Sequence, residues 1–201
     1  MFEGGEGSGK STQARLLAGR LGRETDREVI LTFEPGATAR GSRIRALLLD
    51  DESPLDSRAE LLMMAADRAQ HCGEVIGPAL DRGAIVICDR FEPSSIAYQG
   101  IGRGLGVDVV ATISGIARGS VVPDLVLVLD VTDETAAQRR PTATDRIEKA
   151  GTDFHARVRT AYRDLAATYS WQLIDGADDV DAVHDRVWEC VRPLVDIAGN
   201  R

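Results

Sequence analysis

Residues 4–11 read Gly4-Gly5-Glu6-Gly7-Ser8-Gly9-Lys10-Ser11 and satisfy the pattern G-x-x-x-x-G-K-[ST] at every position. Glycine permits the left-handed turns that aim successive backbone N–H groups into one concavity, a shape that holds a phosphate. Lys10 adds a point charge for β- and γ-phosphates, and Ser11 offers a hydroxyl to Mg²⁺. A helix starting here presents its positive end to the same anion. Chance produces such a string in about one chain in a hundred of this length. Ala14, Leu17, Ala18 and Leu21 follow at i, i+3, i+4 and i+7, one apolar stripe of an amphipathic helix. A phosphate loop leaves the end of a buried strand. Only Met1, Phe2 and Glu3 precede it, so the first strand is expected to be truncated.

The 201 residues are enough for a core of their own, and one domain over 1–201 is expected. With 24 basic and 32 acidic residues the net charge is −8, which argues against a nucleic-acid partner. The only lysines are Lys10 and Lys149. Every other basic side chain is arginine, whose planar fork suits phosphate and carboxylate. Cys72, Cys88 and Cys190 are odd in number and lack metal-ligand spacing. They are expected as buried thiols in a reducing compartment. No run of 18 apolar residues and no signal-peptide pattern occurs, so a soluble, cytoplasmic protein with no membrane partner is expected.

Outward from the loop, strands and helices alternate. Val29–Phe33 reads as a short buried strand, Ser42–Leu49 as a helix, and Ser57-Arg58-Ala59-Glu60 as a capping box. That box opens a long helix to about Leu80, ended by Gly83 in a left-handed cap. Ala84–Cys88 is an all-apolar strand, Val107–Arg118 a helix, Leu125–Val131 the clearest strand, and Glu134–Arg140 a short helix. Phe154, Val158, Ala161 and Leu165 mark a further helix, and Trp171–Ile174 a last strand. Val180, Val183, Val187, Val191 and Leu194 mark the closing helix. This order predicts an α/β fold: a parallel sheet of about five strands, the first truncated, with helices on both faces. Ligands then bind beyond the carboxyl ends of the strands.

Asp89-Arg90 falls at such an end. The acid suits Mg²⁺ held through water, and the arginine a second phosphate. Arg45 and Arg68 lie on predicted helices near the same edge. Ser94–Gly100 is a candidate substrate loop, and Gly100–Gly104 a hinge. Arg139, Arg140, Arg146 and Lys149, mixed with Asp145 and Glu148 over about 139–152, have the composition of a closing lid.

The chain resembles the thymidylate kinases, nucleoside-monophosphate kinases built on the phosphate loop. The resemblance rests on Phe2–Gln13, Glu34-Pro35-Gly36, Ala65-Ala66-Asp67-Arg68-Ala69-Gln70, Asp89-Arg90-Phe91, Ser94–Gly104, Pro123-Asp124 and Asp145-Arg146-Ile147-Glu148, in that order along most of the chain. It implies a P-loop kinase fold, ATP with Mg²⁺ as donor, dTMP as acceptor and a homodimer. It implies ATP binding by Gly4, Gly5, Glu6, Gly7, Ser8, Gly9, Lys10, Ser11 and Thr12, with Arg139 and Arg140 from the lid. It implies metal binding by Ser11 and Asp89. For dTMP it implies Glu6, Glu34, Pro35, Arg45, Met64, Arg68, Arg90, Ser95, Tyr98 and Gln99. Within that set, Arg68 would meet the thymine O4, Arg45 and Arg90 the acceptor phosphate, and Tyr98 the space of a ribose 2′-hydroxyl. Lys10, Arg90 and Arg146 would be catalytic. Members lacking an arginine inside the phosphate loop use one from the lid, and Gly7 stands at that loop position. Arg146 is the first choice for the lid arginine, Arg139 or Arg140 the second. The sequence departs from the family pattern at Phe33, Ala37 and Met64. Another deoxynucleotide phosphotransferase, or a nucleotide-binding relative without catalysis, stays open as an alternative.

Overall fold

A computed structural model describes residues 1–50, 52–139 and 145–198. The described residues form one sheet of five parallel strands in the order β2-β3-β1-β4-β5: β1 Phe2–Glu3, β2 Val29–Phe33, β3 Ile85–Asp89, β4 Leu127–Asp130 and β5 Gln172–Asp175. Parallel neighbours need crossovers, and helices supply them. They are α1 Lys10–Glu24, α2 Ala39–Leu49, α3 Ser57–His71, α4 Gly77–Asp81, α5 Glu92–Ser95, α6 Val107–Arg118, α7 Asp133–Arg139, α8 Thr152–Tyr169 and α9 Val180–Ala198. No helix among the described residues is long and apolar enough to cross a membrane.

Among the described residues two large apolar cores flank the sheet, beside a smaller one of Cys72, Ile76, Cys88 and Phe91. Ala14, Leu17 and Leu21 of α1 pack with Phe2, Leu127, Leu129 and the Val183, Val187, Val191 stripe of α9. On the other side Leu61, Tyr98, Val110, Phe154, Val158 and Tyr162 form the second core. The stripe predicted for α9 is buried only in its middle, since Val180 and Leu194 at its ends are exposed. β2 is an edge strand rather than a buried one, with Leu31 43% and Phe33 45% exposed. The long helix predicted from Ser57 to Leu80 is broken. A π-helical turn, Cys72–Ile76, separates α3 from α4. The N-cap of α3 is Asp56, whose Oδ1 accepts the Arg58 N–H at 2.9 Å. Glu60 does not close the expected capping box, because its carboxylate turns inward and is fully buried. The Ser94–Gly104 loop is instead helical, α5 running into a π-helical stretch, Ile96–Gly102.

β1 has two residues between longer neighbours, pairing Phe2 with Asp89 on one side and with Leu127 on the other. The upstream edges of β3 and β4 therefore border an apolar groove of about 580 Å³ beside Met1. The Met1 ammonium donates to the Leu125 carbonyl at 2.7 Å. β1 delivers the chain straight into Gly4, at φ 130°. A Cβ there would fall on the Leu129 carbonyl oxygen of β4. Gly5 has open space around its Cβ position and no left-handed φ.

Gly4→Ala is therefore expected to lose about 2–4 kcal/mol of unfolding free energy, because neither the backbone nor the strand can yield. Gly5→Ala is expected to change it by less than about 1 kcal/mol. Urea unfolding of the two variants checks this, and equal midpoints would refute the account.

Candidate active site

Beyond the carboxyl ends of the strands lies a cleft of about 650 Å³. Lys10, Arg68 and Arg90 all line this one cleft, although they come from α1, α3 and the residue after β3. Glu6, Gly7, Gly9, Ser11 and Thr12 line it from the loop. Glu34, Pro35, Arg45 and Met64 line it from the β2 side, with Asp89, Ser95, Tyr98 and Gln99 from the β3 side. Gly9 stands at φ 95° as the N-cap of α1, with no side-chain cap. The first N–H groups of the helix are thus left for a ligand.

Lys10 folds back on its own loop. Its Nζ donates to the Gly5 carbonyl at 2.6 Å and to Ser8 Oγ at 3.3 Å. Burial, with nearby Arg90 second, lowers its pKa to about 8, the state of a cation awaiting an anion. Ser11 Oγ donates to Asp89 Oδ2, so the two expected metal ligands touch directly. Asp89 Oδ1 is buried without a hydrogen-bond partner. That orphan oxygen beside a hydroxyl is an all-oxygen donor pair of the kind Mg²⁺ takes. Among the described residues no cluster of three or more His, Cys, Asp or Glu forms a protein-only cage. Mg²⁺ does not need one, since water and substrate phosphates complete its shell.

Arg90 sits at φ 70°, a costly conformation for a side-chain-bearing residue that only a well-determined surrounding sustains. Its guanidinium pairs with Glu6 and donates to the Gly4 carbonyl and Ser94 Oγ, both at 3.2 Å, and to Tyr98 OH at 3.3 Å. Beneath it lies Glu3, fully buried on β1. The Glu3 carboxylate accepts from Phe91 N–H at 2.8 Å, Ser94 Oγ at 2.6 Å and Tyr162 OH at 2.9 Å. Burial raises its pKa in spite of these bonds.

On the β2 side, Arg45 donates to the Pro35 carbonyl at 2.8 Å across the turn that follows the cis Glu34–Pro35 bond. Gly36, at φ 116°, leaves room for Arg45, whose Cδ would lie 2.8 Å from any Cβ there. The Gly36 N–H is held at 3.0 Å by Asp67 Oδ1. Arg68 is 2% exposed and pairs with Glu34 at 3.0 Å.

The lid residues divide. A Cβ at Gly7 would meet the Ala136 carbonyl oxygen at 2.8 Å, so α7 lies directly over the phosphate loop. Arg139, at the end of α7, lines the cleft and donates to the Gly176 carbonyl at 2.9 Å. Arg140 lies outside the described residues. Arg146, the first choice from sequence, is drawn elsewhere. Its guanidinium donates to Glu60 Oε2 at 2.7 Å and to the Leu48 carbonyl at 3.1 Å, and it is not among the cleft-lining side chains. A buried carboxylate and a backbone carbonyl thus hold this guanidinium away from the cleft lining. Glu60 also accepts from Gln99 at 2.7 Å and Arg103 at 3.1 Å. Burial pushes its pKa up, but these donors hold it below the ordinary value.

Sequence reasoning missed Glu3, Glu60, His71, Tyr162 and Arg15, the last a cleft-lining cation on α1. The available signal was polarity out of place: Glu3 inside an apolar strand, and Glu60 and His71 on the apolar side of α3.

Asp67 is 1% exposed, and its Oδ2 has no hydrogen-bond partner. Burial, then the charge of Glu34, raises its pKa to about 6. The folded value lies above that of an unfolded aspartate, so proton binding favours the folded chain. The ionised carboxylate therefore costs stability above about pH 6, and the cost fades as pH falls toward 4. Asp67→Asn is expected to be more stable than the parent chain at pH 8, by about 1–3 kcal/mol, and no more stable at pH 4.5. Denaturant unfolding at both values checks this. A pH-independent difference would contradict it.

A thymidylate kinase family model matches residues 2–187. The chain is 44% identical over 196 residues to the thymidylate kinase of Halothermothrix orenii, covering 95% of this chain and 94% of that one. It is 47% identical over 170 residues to the thymidylate kinase of Cutibacterium acnes, covering 84% and 82%. The crystal structure of thymidylate kinase from Ehrlichia chaffeensis superimposes with a TM-score of 0.79 at 33% identity, covering 94% and 96%.

Proposed function

The chain belongs to the thymidylate kinase family and phosphorylates dTMP, and we propose that the donor is ATP, carried as its Mg²⁺ complex. The γ-phosphoryl group passes in line to the dTMP phosphate, giving dTDP and ADP. The observation that carries this reading is the meeting of Lys10, Arg68 and Arg90 in one cleft.

Two polyanions must come within bonding distance, and fixed cations in a site closed to water lower that barrier. The backbone of residues 4–12 and the start of α1 wrap the donor phosphates. Lys10 exchanges the Gly5 carbonyl for the β- and γ-oxygens. Arg90, already aimed by Glu6 and Tyr98, bridges the transferring group and the acceptor phosphate, with Arg45 on the acceptor's far side. Ser11 and Asp89 are the residues that would hold Mg²⁺, which when bound neutralises charge developing on the donor oxygens. Arg68, with Ser95 beside it, faces the thymine O4, and Met64 and Gln99 border the base. Tyr98, with Glu6, occupies the space a ribose 2′-hydroxyl would need. Arg139 supplies the lid contact to the donor, with Arg140 beside it in sequence, while Arg146 secures the lid's root on Glu60.

We read residues 1–201 as a single kinase domain acting in the cytoplasm as a homodimer. Leu62 on α3 and Val109 and Ile116 on α6 are 58%, 52% and 80% exposed on two helices packed together, and a second copy would cover them. Sedimentation equilibrium is expected to give twice the chain mass. A single-chain mass at micromolar concentration would remove the dimer.

An ADP-release assay with dTMP tests the function. Lys10→Ala is expected to lose turnover by at least about 100-fold while keeping its unfolding midpoint. Arg139→Ala is expected to lower kcat/KM for ATP at least tenfold, and Arg146→Ala to lower Tm while keeping kcat within threefold. The reverse pattern in the two arginine variants would return Arg146 to the catalytic role.

A further inference from the structure

We propose that His71 is a positioning residue that aims Arg68 through Glu34, and so sets the discrimination between a pyrimidine with a 4-oxo group and one with a 4-amino group. This rests on the reading that Arg68 meets the O4 of the acceptor base. His71 is wholly buried at the end of α3 and is not among the residues lining the cleft. Both its ring nitrogens are engaged: Nδ1 lies 2.9 Å from Glu34 Oε1, and Nε2 lies 2.6 Å from Thr32 Oγ1. The second oxygen of Glu34, Oε2, takes the Arg68 Nε–H at 3.0 Å.

The chemistry assigns the protons. A carboxylate paired with arginine can only accept, so Nδ1 carries the hydrogen. In the neutral ring Nε2 is then the acceptor, and the Thr32 hydroxyl donates to it. The relay from β2 through α3 to the turn after β2 is thereby complete, with each atom in one role. Its purpose lies in the torsions. A glutamate carboxylate turns easily about its last bond, and Arg68 alone grips one oxygen. The imidazole grips the other, so the carboxylate plane is fixed. A charge-assisted bond to Nε then fixes the guanidinium plane. The other two nitrogens of Arg68 meet only neutral hydroxyls, Ser114 Oγ at 3.2 Å and Ser95 Oγ at 3.1 Å, which swivel to follow it. A donor-only guanidinium held in this plane favours a carbonyl oxygen and leaves an amino group facing an unpaired donor, the arrangement that discriminates most strongly.

His71→Asn and His71→Gln separate positioning from packing. The asparagine amide nitrogen overlays Nδ1 and keeps the donor to Glu34. The glutamine nitrogen overlays Nε2 and abandons Glu34. In the Gln variant KM for dTMP is expected to rise at least tenfold, with kcat and KM for ATP within threefold. The ratio of kcat/KM for dTMP over dCMP is expected to fall at least tenfold. In the Asn variant both quantities stay within threefold of the parent. Equal behaviour of the two variants in KM and in the ratio, whatever their Tm, overturns the proposal. A parent chain that does not prefer dTMP to dCMP overturns the O4 reading itself, and this proposal with it. A preference that survives in the Gln variant overturns the role of His71 alone. Nitrogen-15 spectra of the parent chain give an independent readout that needs no variant: a proton on Nδ1 of the His71 ring is expected, and a ring protonated on Nε2 alone overturns the relay.

Discussion

A site built to bring two polyanions together must store its cations before either anion arrives. That constraint organises the whole carboxyl edge of the sheet. The arginines there are each lent an acid: Arg90 has Glu6, Arg68 has Glu34, and Arg103 and Arg146 share Glu60. A buried charge left alone costs several kcal/mol, and pairing with hydrogen bonds offsets most of it. The overall net charge of −8 is therefore no obstacle to binding phosphates. Some of the acids that create it keep the arginines buried and aimed. Among the described residues Lys10 has no direct carboxylate partner and settles for a carbonyl and a hydroxyl. Burial lowers its pKa, to about 8.

The acids differ in what they do with their cations, and burial explains the difference. Glu6, part-exposed at the cleft, would not be stranded in an apolar interior without Arg90. Glu34 and Glu60 are buried to 5% and 0% exposure, so releasing an arginine from either would leave an unpaired charge. They act as fixtures. Arg68 is then held rigidly in the cleft wall by Glu34, and Arg146 is held on Glu60 and the Leu48 carbonyl, away from the cleft lining. Glu3 extends the same logic one layer down, holding Phe91, Ser94 and Tyr162 under a left-handed Arg90.

Much of the fold was legible because its signals are local. Alternating apolar runs and stripes located all five strands to within one or two residues at each end, apart from β1, which is short in both accounts. The errors came where a distant partner overrode a local pattern. Ser57–Glu60 looked like a capping box, yet Glu60 is claimed by Arg103 and Arg146, 43 and 86 residues away. Val29–Phe33 looked like a buried strand, but apolar content does not distinguish an edge strand whose outer residues line a cleft. Ser94–Gly104 looked like a loop because small and polar residues dominate it, and packing against α6 and α8 makes it helical.

The phosphate loop was decided by sequence alone, since left-handed turns, a helix start and a lysine one residue beyond the last glycine are properties of eight adjacent residues. So were the parallel strand–helix alternation and the sheet edge at which Asp89 and Arg90 would appear. The tertiary structure alone decided which acid each arginine keeps, that His71 stands behind Glu34, and that Arg139 rather than Arg146 faces the cleft. Those choices are settled by desolvation, which depends on what surrounds a side chain in space, and spacing along a chain carries no record of that.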